Sequence, residues 1–101
     1  MKFLSEILPD YFPGSLLPIK NIAIDSRQIS ENGLFFAYPG YTVDGRDYIP
    51  KAIANGATVV VCDNKDHYCV DSSSFPDVLF LSISHVRDAA ALAAAHFFDN
   101  P

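Results

Sequence analysis

Two short segments carry the polar residues best suited to holding a ligand: Asp25-Ser26-Arg27, and the stretch Gly40-Tyr41-Thr42-Val43-Asp44-Gly45. Ser26 and Thr42 offer hydroxyls that both donate and accept, and Arg27 offers a planar fork of donors matched to phosphate or carboxylate oxygens. Gly40 and Gly45 let the backbone approach a ligand closely. A plainer reading is structural. Asp25 and Arg27 stand two apart and can pair locally, and Asp44-Gly45 is an ordinary turn.

Other chemistries find less support. His67, His85 and His96 fall in different segments, and their spacing suggests no Ser-His-Asp set, which is recognised by geometry in any case. The 12 carboxylates could converge almost anywhere, so their number carries no signal. Cys62, His67 and Cys69 form a C-x4-H-x-C pattern of three soft ligands, but structural zinc wants four, usually with tighter paired spacing. The simpler expectation is Cys62 at a strand end in the core and Cys69 in a loop, with no metal bound. Neither G-x-x-x-x-G-K-[ST] nor G-x-G-x-x-G occurs, so no standard phosphate loop for ATP or a dinucleotide is present.

The elements that must position these residues alternate between strand and helix. Phe3, Leu4, Ile7 and Leu8 are spaced for a short amphipathic helix ended by Pro9, and the proline-bearing stretch to Lys20 reads as irregular connector. Residues 21–24 read as a strand whose end carries Asp25-Ser26-Arg27. After the turn Glu31-Asn32-Gly33, residues 34–38 suit a buried strand, closed by Pro39-Gly40 and followed by the loop 41–46. A helix is expected from Asp47, its cap, with Tyr48, Ile49, Ala52 and Ile53 on one face, Pro50 in the first turn and Asn55-Gly56 at the end. Residues 58–62 and 78–82 read as two more buried strands separated by loop, and Ser84 is expected to cap a final helix over 85–98. This rhythm belongs to an α/β fold: a small, largely covered sheet, open to mixed pairing, with flanking helices. Both polar segments then fall beyond strand ends, where open α/β sheets bind their ligands.

Composition narrows the function. A chain of 101 residues, 50% hydrophobic, makes one small domain with a real core and is far too apolar for disorder. Unbroken apolar runs such as Ala89–Ala95 fall well short of the roughly 20 residues of a membrane helix. The opening Met1-Lys2-Phe3-Leu4 is interrupted by Glu6, Pro9 and Asp10, so neither export nor a membrane span is expected. A net charge of −5 without any Lys/Arg cluster argues against nucleic acid, although local backbone N–H groups can still hold one anion. Two cysteines are too few for a secreted disulfide scaffold and are read as reduced and cytosolic. Asn100-Pro101 is a turn opener, and the chain is expected to be one domain of something longer.

Asp25-Ser26-Arg27, six residues, Leu34-Phe35-Phe36-Ala37, Gly40, Asp44-Gly45, Tyr48-Ile49, Ala52, Gly56-Ala57 and Val59-Val60-Val61 form a collinear set. That set resembles the amino-terminal domain of the Mur ligases, most of all those that add the third residue of the peptidoglycan peptide stem. The match is dense from Ile22 to Val61, and Phe97-Phe98-Asp99-Asn100-Pro101 is similar to the family's run-up to its central domain. The resemblance implies a UDP-MurNAc-binding domain over 1–101 of a cytoplasmic, monomeric ligase acting on UDP-MurNAc-L-Ala-D-Glu. It also implies that ATP and Mg2+ bind in a central domain outside this chain, and that a third domain helps bind the incoming amino acid. The family activates the D-glutamate carboxylate as an acyl phosphate, which the amine of that amino acid attacks, so this stretch alone should catalyse nothing.

Position by position, the resemblance makes Ile24, Ser26, Tyr41, Thr42 and Val43 substrate contacts, with Asp25, Arg27, Gly40, Asp44 and Gly45 supporting them. Two departures stand out. Glu31-Asn32-Gly33 replaces the family's usual Gly-Asp turn, which Asn32 should tolerate, and Tyr41 stands where histidine is common. Two alternatives stay open: the member that adds D-Ala-D-Ala, and a non-catalytic binding module of the same fold. Which amino acid is added, diaminopimelate or lysine, is not written in these residues.

Overall fold

In the computed structural model, which describes residues 1–68 and 70–98, the chain begins with strand β1 (Lys2–Phe3) and a single turn of helix, α1 (Leu4–Ile7). The Phe3 N–H donates to Glu6 Oε2 at 2.7 Å, which satisfies one of the donors a helix start leaves open. Strand β2 (Pro18–Ile19) pairs antiparallel with β1, Lys2 opposite Ile19. This ribbon lies where the sequence suggested helix and connector. Two residues per strand are too few to show a two-residue period.

The main sheet is built from β3 (Asn21–Ala23), β4 (Gly33–Ala37), β5 (Ala57–Asp63) and β6 (Leu79–Ile83), in the order β3-β4-β5-β6. All its pairings are parallel, with Ala23 beside Phe35, Ala37 beside Cys62 and Asp63 beside Ile83. The fold is thus α/β as expected, and the antiparallel pairing sits apart in the ribbon. Helix α2 (Ile49–Ala54) crosses between β4 and β5, and α3 (Val86–Phe98) follows β6.

Alternation along the central strands feeds two cores, because successive side chains point to opposite faces. Leu34, Phe36, Val59 and Val61 pack with Leu4, Ile7, Ile19, Val86 and Ala93, beneath α1 and α3. Phe35, Ala37, Val60 and Cys62 pack with Ile29, Ile49 and Ala52, beneath α2. Every residue of β4 is buried, as a strand covered on both faces should be. Strand β6 corrects the expectation of a buried strand. It is the sheet's edge, and Leu79 and Ser82 are exposed because the helices sit over β4 and β5. His96 Nδ1 donates to the Ile7 carbonyl at 3.0 Å and ties α3 to α1.

Both expected helix caps are supplied by other residues. Asp44, rather than Asp47, caps the chain's entry to α2: its side chain accepts from Arg46 N at the start of a 3-10 turn, Gly45–Tyr48, that runs directly into the helix. Pro50 does lie in the first turn, and the helix ends at Asn55 followed by Gly56 at φ +122°. A Cβ on Gly56 would come within 2.7 Å of the Glu31 backbone, so only glycine fits there. For α3 the cap comes from β5 rather than from Ser84: Asp63 Oδ2 accepts the Val86 N–H at 3.2 Å, while its Oδ1 accepts that of Lys65 at 2.9 Å. Asn32 takes φ +59°, as the altered turn before β4 requires.

Candidate functional site

Beyond the carboxyl ends of β3 and β4 the chain leaves a cleft of about 420 Å³, lined by both polar segments and by α2. Its residues come from three places: Ile24 to Arg27 after β3, Val43 and Gly45 after β4, and Tyr48 and Lys51 at the start of the helical crossover, with buried Phe35 among them. Ile24 and Val43 are more than half exposed and form apolar walls. Such side chains stay open to water at a cost, and a flat apolar ligand would cover them.

Within this cleft Ser26 stands out. It is 4% exposed, sits in a 3-10 turn, Ser26–Gln28, and its carbonyl accepts from Ile29 N and from Asn55 Nδ2 at 2.9 Å. Its Oγ, however, makes no hydrogen bond among the described residues and is not sealed off, so it reaches solvent through the cleft it lines. A hydroxyl held that deep without a protein partner is available to a ligand.

The turn is held by its flanking pair. Asp25 Oδ1 accepts from Arg27 N at 2.9 Å and from Nε at 3.1 Å, and Oδ2 accepts from Nη2 at 2.7 Å. These bonds lower the Asp25 carboxyl to about 2 and raise the Arg27 guanidinium above its ordinary value. The same grip recurs nineteen residues later. Asp44 Oδ1 accepts from Arg46 N and Nε, and Oδ2 from Nη2 at 2.8 Å. Here the arginine is buried, and its Nη1 donates to the carbonyls of Asp63 and Lys65 at 3.1 and 2.6 Å. Bonding to Arg46 holds the Asp44 carboxyl below its usual value, and burial pushes the Tyr68 hydroxyl up.

Of the residues singled out from sequence, Ile24, Asp25, Ser26, Arg27, Val43 and Gly45 come together around the cleft. Gly40, Tyr41, Thr42 and Asp44 do not line it. Gly40 N donates to the Val43 carbonyl at 2.8 Å and closes the loop, while Asp44 works behind the cleft through Arg46. Tyr41 is 98% exposed and faces α3, where the Arg87 guanidinium lies 5.8 Å from its ring centre and 5.5 Å from that of Tyr38. Thr42 is exposed in the same loop. Sequence reasoning missed Phe35, Tyr48, Lys51 and Arg46. The repeated D-x-R of 25–27 and 44–46 was the signal for Arg46, and the three-residue spacing of Tyr48 and Lys51 was the signal for a shared helical face.

No group of three His, Cys, Asp or Glu side chains among the described residues is placed to hold a metal ion. Cys62 is buried in the α2-side core and His67 is exposed, while Cys69 lies outside the described residues.

The Mur ligase family, catalytic domain, matches residues 18–98, the whole span from β2 through α3. The chain belongs to the Mur ligase family. Among curated Mur ligases it is 36% identical, over 101 residues, to UDP-N-acetylmuramoyl-L-alanyl-D-glutamate--2,6-diaminopimelate ligase 1 of Clostridium acetobutylicum, covering 99% of this chain and 20% of that protein. It is 40% identical over 86 residues to the corresponding ligase of Halalkalibacterium halodurans, covering 82% of this chain and 15% of that protein. In fold it is similar to MurF from Acinetobacter baumannii, with a TM-score of 0.62 and 22% identity over 92% of this chain and 19% of that one. The chain therefore spans about a fifth of the length of the Mur ligases it matches. No described helix is long and apolar enough to cross a membrane.

Proposed function

We propose that this chain is the domain of an ATP-dependent Mur ligase that holds the UDP end of UDP-MurNAc-L-Ala-D-Glu while the third amino acid of the stem peptide is added. Family membership supports the class of reaction, and the similarity to ligases named for 2,6-diaminopimelate supports this member over the D-Ala-D-Ala-adding one. The likeness to MurF, at 22% identity, speaks for the fold alone. The observation that carries the reading is Ser26, a nearly buried hydroxyl whose Oγ has no partner among the described residues and which opens on the cleft at the strand ends.

In this reading Ser26 Oγ donates to an oxygen of the nucleotide, and Ile24, Val43 and Tyr48 cover its flat, less polar part. Tyr41 and Thr42 would reach the ligand only beyond the cleft, at its outer rim. Asp25, Arg27, Asp44 and Gly45 keep the two loops in shape. The residues described here do not fit ATP or Mg2+: the sequence lacks a phosphate loop and no metal-binding donor set gathers. Activation of the D-glutamate carboxylate as an acyl phosphate, and attack by the incoming amine, therefore belong to other parts of such a ligase. The reading places the enzyme in the cytoplasm as a monomer, where nucleotide-linked precursors and ATP are available.

Calorimetric titration with UDP-MurNAc-L-Ala-D-Glu tests it. Binding that weakens by about tenfold in Ser26→Ala, as loss of one hydrogen bond to a charged group would give, supports the reading. Equal binding by both proteins removes Ser26 from the site, and ligase turnover by this chain alone overturns its assignment as a holding domain.

A further inference from the structure

We propose that Lys51, and not Arg27, supplies the positive charge that meets the phosphates of a nucleoside diphosphate in the cleft, an inference that rests on the reading of the cleft as a nucleotide site. Arg27 has the better fork for a phosphate, but one edge of it, Nε and Nη2, is held on Asp25. Nε and Nη2 both bond the carboxylate of Asp25, the backbone N–H of Arg27 bonds it as well, and the pair as a whole is neutral. Turning that guanidinium toward a ligand would give up its three side-chain bonds to Asp25, while the bond from the Arg27 N–H that caps the turn would remain.

Lys51 stands differently. It lines the same cleft from α2, is exposed, and makes no ion pair among the described residues, with Asp47 one turn earlier on the chain included. The charges lining the cleft are thus Asp25 and Arg27, which cancel, and Lys51, which does not. That gives a local balance of one positive charge in a chain of net −5. The position is also fixed relative to Ser26. Asn55 at the end of α2 donates from Nδ2 to the Ser26 carbonyl at 2.9 Å, and its N–H bonds the Lys51 carbonyl at 3.0 Å, so turn and helix are pinned together. A compact ammonium on a flexible stem needs no bidentate geometry to meet a phosphate oxygen.

The test compares UDP with uridine by calorimetry on the 101-residue protein and on Lys51→Gln, Lys51→Arg and Arg27→Gln, each checked for folding by circular dichroism. The expected result is a preference of wild type for UDP over uridine of about tenfold, the size of one hydrogen bond to a charged group. Lys51→Gln should abolish that preference with uridine binding unchanged, Lys51→Arg should keep it, and Arg27→Gln should weaken both ligands in parallel. A preference that survives Lys51→Gln and disappears in Arg27→Gln overturns the proposal and leaves the cleft a nucleotide site. Wild type binding neither UDP nor uridine at millimolar concentration overturns the nucleotide reading itself, and this assignment with it.

Discussion

The guanidinium of Arg46 lies 4.5 Å from the centre of the Tyr68 ring, 22 residues away in sequence, and the Tyr68 hydroxyl donates back to the Arg46 carbonyl at 3.3 Å. Asp44 holds the edge of the same guanidinium, and the Asp63 and Lys65 carbonyls take its Nη1. The loop after β4, which forms one rim of the cleft, is in this way bolted to the end of β5.

Arg46→Met therefore removes a buried charge from partners that stay behind, and it should cost about 2–4 kcal/mol in urea unfolding, with the partial exposure of Asp44 keeping the loss from being larger. Arg46→Lys restores the charge but not the fork, and it should recover less than half of the loss. Equal stability of Arg46→Met and wild type would show that the bolt is idle.

Acid should loosen both aspartate grips. The Asp25 carboxyl falls from 3.8 to about 2 and that of Asp44 also falls, each through its arginine. A group whose pKa is depressed on folding stabilises the fold above its unfolded value, and that contribution is lost as pH drops through the folded one. Urea midpoints should hold steady above pH about 4 and decline from there toward pH about 2. Asp44→Asn should flatten this acid limb more than Asp25→Asn does, because the Asp25 pair lies in water, where such pairs contribute little. Identical acid limbs for wild type and Asp44→Asn would refute the assignment.

Much of this fold was legible in the residues, and the reasons differ by element. Strands β4 and β5 announced themselves by unbroken apolar and β-branched runs, since a strand covered on both faces needs nothing else. Strand β6 carries the same kind of residues, yet its apolar run does not report that it would end at an edge, because strand order is a property of the whole chain. The turn with Ser26 was readable from its local Asp-x-Arg, an interaction that closes over two residues. Lys51 was not, because only the packing of α2 against that turn brings it to the cleft. The Asp63 cap on α3 spans 23 residues, and nothing near Val86 points to it.

That cap makes its own prediction. Asp63 is nearly buried and its two oxygens satisfy two backbone donors, one at the start of α3. Asp63→Ala leaves both unpaired and should cost about 1–3 kcal/mol in thermal or urea unfolding. Asp63→Asn keeps one acceptor oxygen and should cost clearly less. If alanine and asparagine prove equally harmful, the charge rather than the cap carries the effect.

The loop after β4 presents two apolar side chains that the sequence could not rank, and the cleft separates them. Val43 lines the cleft with its side chain half exposed, whereas Tyr41 is almost wholly in water beside Arg87. Covering Val43 with a ligand removes apolar area worth about 1 kcal/mol or somewhat more, so on the proposed function Val43→Ala should weaken binding of UDP-MurNAc-L-Ala-D-Glu by about three- to tenfold. Tyr41→Ala should change it by less than about twofold, since an exposed cation–π contact contributes only about 0.5–1 kcal/mol and holds the ring on the side facing α3. The reverse order, with Tyr41 the more sensitive of the two, would mean that the nucleotide lies over the outer face of the loop and not in the cleft.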